Sequence, residues 1–224
     1  MKYDWILFDA DETLFHFDSF QGMQLMFKRK GVEFTEQDFA EYQKINKPLW
    51  GDYQDGVIDA QQIKHIRFES YAKQLNTTTA ELNSAFLDAM ADICTMIPGV
   101  NEFLDAVRGK AKLGIITNGF TELQQVRLAK MGLSNTFEHV IISEEVGVAK
   151  PDAGIFHHAM EMMGQPCKTK VLMVGDNLHS DVLGGVNFGI DTCWFNHARQ
   201  QGTAEINPSY TIEHIDELKH ILLA

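Results

Sequence analysis

Trp5-Ile6-Leu7-Phe8 runs without a polar residue straight into Asp9-Ala10-Asp11-Glu12-Thr13. Four consecutive apolar, strand-favouring residues leave no face for water, so they belong to a strand covered on both sides, as in a parallel sheet wrapped by helices. Asp9 and Asp11 then emerge where that strand ends, at the carboxyl edge where open α/β sheets keep their ligands. Like charges this close repel, and taking each from water costs on the order of several kcal/mol unless a cation compensates. The pair therefore predicts a cation and a task.

Beyond this strand the pattern turns helical. Phe20, Met23 and Phe27 recur at helical spacing and Gly31 stops them, while Leu82, Phe86, Met90 and Ile93 repeat the pattern later. Asp59 reads as an N-cap for a segment through Gln74. A stripe of Tyr42, Ile45, Leu49 and Tyr53 crosses Asn46-Lys47-Pro48, where the proline is expected to kink or break the helix. From Pro98 the texture becomes alternating, with strands expected at 113–116, 139–142, 171–174 and 192–195 and helices near 122–131, 152–163 and 180–188. The fold expected is α/β, a Rossmann-like parallel sheet with helices on both faces. Because the first strand belongs with the later ones, residues 16–96 read as a helical bundle inserted into a core made of 1–15 and 97–224.

A net charge of −12 gives no attraction to nucleic acid or anionic membrane, so the partner expected is a small molecule. No run reaches the roughly 18 apolar residues of a membrane helix, and Met1-Lys2-Tyr3-Asp4 enters the strand without a signal-peptide apolar region, which points to the cytoplasm. Cys94, Cys167 and Cys193 are odd in number and far apart, and are expected to be buried packing residues. His157 and His158 are adjacent, so on a helix they point apart and do not chelate together.

Other strands also end in polar residues: Thr117-Asn118-Gly119 after the second, and Gly175-Asp176-Asn177, with Asp181 five residues beyond Asp176, after the fourth. Lys150-Pro151 follows the third strand in a loop. Several carboxylates, one lysine, a threonine hydroxyl and glycine-freed amides at one sheet edge are the parts for phosphoryl transfer assisted by Mg²⁺, since oxygen-only ligands suit that ion.

The order Asp-x-Asp-x-Thr, Thr-Asn-Gly, Lys-Pro and Gly-Asp-x-x-x-x-Asp resembles the four motifs of the haloacid dehalogenase-like hydrolase superfamily, and the helical insertion resembles its C1 cap. The resemblance implies Asp9 as a nucleophile that forms an aspartyl phosphate, and Asp11 as the acid that protonates the leaving alkoxide and then takes a proton from water. It implies a metal held by the Asp9 and Asp176 carboxylates and the Asp11 carbonyl, with Asp181 acting through water or by orienting Lys150. Mg²⁺ is the expected ion, with Mn²⁺ as a substitute. Thr117, the Asn118 amide and Lys150 would bind the phosphoryl oxygens. An acid at position 11 favours phosphatase or phosphomutase over dehalogenase.

Asn46-Lys47-Pro48-Leu49-Trp50, Tyr53, Gly56, Ile58 and Arg67-Phe68, with Ile142 to Pro151, resemble the bacterial pyrimidine-nucleotide 5′-phosphatases. That likeness implies hydrolysis of nucleoside 5′-monophosphates such as dUMP, dTMP or UMP; a sugar-phosphate phosphatase or mutase is the alternative. Trp50, Tyr53 or Phe17 are candidates to stack on a base, and Lys47, Asn46 or Arg67 to reach its polar edge or the sugar. Tyr53 fits a core position better, Arg67 has the simpler reading of a bridge to a nearby carboxylate, and Glu144 and Glu145 read as a solvated turn. Cap motion is expected to hinge at His16 to Ser19 and Met96 to Gly99.

Overall fold

A computed structural model describes residues 1–223. Six strands, β1 (Trp5–Phe8), β2 (Lys112–Thr117), β3 (His139–Ile142), β4 (Val171–Gly175), β5 (Asp191–Phe195) and β6 (Tyr210–Ile212), form one sheet in the order β3-β2-β1-β4-β5-β6. All five pairings are parallel. β1 lies centrally, between β2 and β4, where the chain's winding reverses, so its carboxyl end opens on the crevice where such sheets bind ligands.

Period-two alternation in β1 supplies both faces. Ile6 and Phe8 pack against α6 (Val100–Val107) and α11 (Ile215–Leu223), through Phe103, Leu104, Ile215 and Leu218. Trp5 and Leu7 join Ile155, Phe156 and Met160 of α9 (Ala153–Met162) and Phe188 of α10 (Gly184–Phe188) on the other face. α7 (Thr121–Lys130) and the short α8 (Ser143–Val146) follow β2 and β3. The expected four later strands are present, each within a residue or two of the expected bounds. The short edge strand β6 and the helices α6 and α11 were not expected; β6 has only Ile212 buried.

Between β1 and α6 run α1 (Ser19–Arg29), α2 (Glu36–Gln54), α3 (Ala60–Ile66), α4 (Glu69–Leu75) and α5 (Thr79–Ile93), with a cluster of their own around Met23, Phe27, Tyr42, Ile63, Phe68 and Phe86. Phe120, Leu123 and Ala149 reach into that cluster from the sheet side. Thr35, Asp59 and Thr78 close reciprocal capping boxes at the starts of α2, α3 and α5. The two chain crossings run side by side: the His16 amide donates to the Thr95 carbonyl at 3.0 Å, and the Ile97 amide to the Leu14 carbonyl at 3.0 Å.

Four expectations need correction. Pro48 does not break α2, which continues to Gln54, because the buried face of Tyr42, Asn46, Leu49 and Tyr53 outweighs one lost backbone bond. Ile45, expected on that face, is exposed. The segment after Asp59 divides at Arg67-Phe68 into α3 and α4. Cys94 and Cys193 are buried as expected, but Cys167 is exposed, ahead of the turn Lys168–Lys170 whose lysines require solvent.

Phe103 is fully buried and meets Phe8 edge to face, ring centroids 5.8 Å apart. Phe103→Ala is expected to lower the free energy of unfolding by about 3–5 kcal/mol, read as a fall in the urea midpoint at constant slope.

Candidate active site

The strand ends converge as the motif order suggested. Asp9, Asp11, Thr117, Asn118, Lys150 and Asp176 all border one cavity of about 250 Å³. At its floor the Lys150 ammonium, 1% exposed, donates to Asp9 Oδ1, Asp181 Oδ1 and the Ile116 carbonyl, each at 2.6 Å. A lysine has three N–H donors, and all three are satisfied. Asp181 therefore sits behind Lys150 rather than on the cavity wall, and its other oxygen accepts the Asn177 amide at 3.0 Å. Gly175 is needed for that arrangement, because a Cβ there would stand 2.2 Å from Asp181 Oδ2.

Asn118 does something not foreseen in its sequence context. Its side-chain amide donates to the Lys150 carbonyl at 2.9 Å and its oxygen accepts the Lys150 amide at 2.8 Å, a two-point clamp on the lysine's backbone. Thr117 Oγ1 accepts the Gly119 amide at 3.0 Å, which tightens the turn after β2. Thr13, fully buried, accepts the Asp176 amide at 3.0 Å, and Trp194 Nε1 donates to the Asp176 carbonyl at 2.8 Å.

These carboxylates are crowded. Burial pushes the Asp9 carboxyl up to about 7, with Lys150 resisting the rise and Asp181 and Asp11 adding to it. Burial likewise lifts Asp176 to about 8, with the charges of Asp9 and Asp181 adding to it. For Lys150, burial opposes the charge, but Asp181 and Asp9 outweigh it and hold the ammonium above its ordinary value. Carboxylate oxygens of Asp9, Asp176 and Asp181 lie within 4.8 Å of one another, the one such group of potential ligands among the described residues. Asp176 has no cationic side chain against it there, only Thr13 Oγ1 at 3.4 Å. A hard divalent cation fits this set, because it supplies the missing positive charge to oxygen donors.

Across the cavity stand Phe17, Ser19, Tyr42, Asn46, Trp50 and Arg67 from the helical segment. Arg67 is buried over the rings of Phe68, Phe86 and Phe120 and donates to Asn83 Oδ1 at 2.5 Å, while its Nε has no partner. It bridges to no carboxylate among the described residues, contrary to the simpler reading, and burial lowers its guanidinium from its ordinary value. Trp50 leans on Phe120 with centroids 5.4 Å apart. Lys47 is a correction: since α2 continues through Pro48, Asn46 and Trp50 share the inward face one turn apart and Lys47 is left exposed, off the cavity. Tyr53 packs in the core, as its stripe suggested, and its hydroxyl donates to Ser143 Oγ at 2.7 Å.

Glu144 is another correction. It is no solvated turn residue: it is mostly buried, pairs with Lys64, and accepts from Gln61 at 3.0 Å and from the Thr121 amide at 3.1 Å. Arg127 and Gln124 were not foreseen either. Both are buried on α7, and Arg127 pairs with Asp11. Polar residues three apart on an otherwise apolar helical face were the signal available for them.

The model of the haloacid dehalogenase-like hydrolases matches residues 3–189, most of the chain. The protein is a haloacid dehalogenase-like hydrolase. Over 99% of both chains it is 54% identical to the pyrimidine 5′-nucleotidase YjjG of Escherichia coli K12. It is 31% identical to the pyrimidine 5′-nucleotidase PynA of Streptococcus pneumoniae, over 97% of this chain and 94% of that one. Among solved structures, the putative hydrolase YfnB of Bacillus subtilis, 29% identical, superposes over all of both chains with a TM-score of 0.86; that crystal form is bound to magnesium and reveals interdomain movement. Hydrolases of this family use a divalent metal, which agrees with the crowded acids of this site.

The raised carboxyls make metal binding and stability depend on pH. The unfolded chain releases these protons near the ordinary value of 3.8, whereas the folded protein keeps them to about 7 for Asp9 and about 8 for Asp176. Their contribution to metal-free stability is thus full below about pH 4 and lost as pH rises through about 7 to 8. A divalent cation replaces those protons. The rise in Tm on adding it to metal-free hydrolase is expected to be larger at pH 8 than at pH 5.5, and Asp176→Asn should flatten both trends in a calorimetric series.

Proposed function

We propose that this hydrolase is a Mg²⁺-dependent 5′-nucleotidase that releases phosphate from pyrimidine nucleoside monophosphates such as dUMP, dTMP and UMP. The observation that carries the reading is one cavity joining a phosphoryl-transfer floor to an aromatic wall with a buried guanidinium that has no carboxylate partner among the described residues. Full-length identity of 54% to a pyrimidine 5′-nucleotidase supports it. The wall's Phe17, Trp50, Phe86 and Phe120 suit a planar base better than a hydroxyl-covered sugar, which disfavours a sugar-phosphate phosphatase or mutase. In this reading 16–96 is the cap and 1–15 with 97–224 the catalytic core, the enzyme works in the cytoplasm, and Mn²⁺ substitutes for Mg²⁺.

Asp9 attacks phosphorus, forming the aspartyl phosphate as the bond to the nucleoside 5′ oxygen breaks. Asp11 gives that oxygen its proton, then accepts one from the water that attacks phosphorus and frees Asp9 and inorganic phosphate. Thr117 and the Asn118 main-chain amide hold the phosphoryl oxygens as their charge grows, and Lys150, whose three N–H groups are already taken, offsets that charge from beneath Asp9. Asp9, Asp176 and the Asp11 carbonyl would hold the metal, with Asp181 keeping Lys150 in place. When bound, Mg²⁺ offsets negative charge on the phosphoryl group. The cap opens at the paired crossings near residues 16–19 and 96–99 to admit substrate and closes to exclude water.

Pyrimidines share a carbonyl at C2 beside the glycosidic nitrogen, and the unpartnered Nε of Arg67 is a donor suited to it. Trp50 offers a face for the ring.

On a panel of phosphomonoesters, pyrimidine monophosphates should be hydrolysed in preference to purine monophosphates and hexose phosphates, and EDTA should abolish turnover. Equal turnover of hexose phosphates, or indifference to chelation, would sink the reading. Asp9→Asn should fold and show no chemistry. Losing a charged hydrogen bond costs about 1.5–3 kcal/mol, so Arg67→Met should raise KM for a pyrimidine nucleotide roughly 10- to 100-fold while sparing p-nitrophenyl phosphate.

A further inference from the structure

Arg127 lies beneath Asp11 and has no part in the chemistry described so far. It is 1% exposed, its guanidinium sits 4.6 Å from the Phe15 ring centroid, and one terminal nitrogen pairs with Asp11 Oδ1. Its Nε and other terminal nitrogen both donate to Gln124 Oε1, at 3.0 and 2.6 Å. A guanidinium only donates, so Gln124 must turn its oxygen toward Arg127, which sends its amide nitrogen the other way. That nitrogen is buried without a partner and lies 2.6 Å from where a Cβ on Gly119 would stand. Asp11 Oδ2 lies 3.6 Å from the same point, and Gly119 borders the cavity. One oxygen of Asp11 is thus anchored from below, while the other makes no hydrogen bond among the described residues.

Stability alone is a poor reason for this arrangement, since a buried ion pair often adds little over well-packed apolar residues of the same volume. We propose that Arg127, braced by Gln124, is a positioning residue: by fixing Oδ1 of Asp11 it aims Oδ2 at the nucleoside 5′ oxygen for proton transfer. The proposal rests on the reading of Asp11 as the acid and base. The proton passes from Asp11 Oδ2 to the 5′ oxygen as the bond from that oxygen to phosphorus breaks and the bond from Asp9 to phosphorus forms. No group other than those already named takes part. Gly119 leaves the room that Gln124 needs, so the glycine after Thr117-Asn118 serves the brace as well as the turn.

Displacing an acid from its partner costs on the order of 10²-fold, so Arg127→Met should lower kcat on a pyrimidine monophosphate roughly 10- to 100-fold, with KM within about threefold. The first turnover of p-nitrophenyl phosphate, whose leaving group needs no proton, should stay within about threefold of wild type in the same variant. In an Asp11→Asn background the Arg127 substitution should change nucleotide turnover by less than about threefold, because its effect runs through Asp11. Arg127→Lys, which keeps the charge, should fall between. If Arg127→Met does not fold by circular dichroism, Gln124→Met, which removes the brace alone, should show the same split between substrates at smaller size. Equal losses on both substrates, or a full multiplicative loss in the Asp11→Asn background, would overturn the proposal. Wild-type turnover by Asp11→Asn alone would instead overturn the acid-base reading on which it stands, so the two failures are distinguishable.

Discussion

The Lys150 ammonium is the point on which the site depends. Without it, Asp9 and Asp181 would face each other as buried like charges; with it, both oxygens and a main-chain carbonyl are drawn to one nitrogen at 2.6 Å. Its position is set from two directions. Asn118 clamps the backbone of Lys150 from the end of β2, and Gly175 lets Asp181 lean back across the end of β4. Three neighbouring strands of a parallel sheet are thereby tied at their carboxyl ends through one side chain. The fold brings the parts together, and the lysine makes their closeness tolerable.

A second set of contacts joins the helical segment to this sheet edge. Glu144, at the start of α8, takes Lys64 and Gln61 from α3 and the Thr121 amide at the start of α7. Tyr53 reaches Ser143 beside it, and Phe120 meets both Trp50 and Arg67. The loop after β2 therefore borders the acidic floor of the cavity through Thr117 and Asn118 and meets the helical segment through Phe120 and, by way of Glu144, Thr121. One stretch of backbone thus meets the helical segment and shapes the floor, so on the proposed reading a movement of that segment is felt within a few residues of Thr117 and Asn118.

Much of this was legible in the sequence because it follows from short-range rules. An apolar run ending in two acids, and glycine- or proline-marked turns after later strands, locate β1, β2, β4 and the acidic floor of the cavity, since strand pattern and turn chemistry are local properties. Asp59 as a cap and Gly31 as a stop are equally local. The places of Lys47 and Glu144 are not legible locally because they depend on partners far along the chain: α2 stays whole through Pro48 because its inner face is buried by other helices, and Glu144 is buried by Lys64, 80 residues away. Arg127 lies 116 residues from Asp11, so no spacing rule joins them. The edge strand β6 has only three residues, one of them buried, too few for any alternation to register.

Asp9 and Asp11 are alike in sequence and unlike in place. Each has one oxygen taken by its own cation, Lys150 for Asp9 and Arg127 for Asp11, and each leaves the second without a protein partner among the described residues. The two cations come from different elements, one from the loop after α8 and one from α7, and they pull the neighbouring carboxylates toward separate anchors. A shared metal clamp would require both side chains to converge, and the anchors oppose that. The repulsion that made the pair costly at the start is relieved by division: a lysine that also answers to Asp181 holds Asp9, and an arginine that answers to Gln124 holds Asp11. Two acids so close in sequence are free to take the different roles proposed for them because the fold gives them different counter-ions.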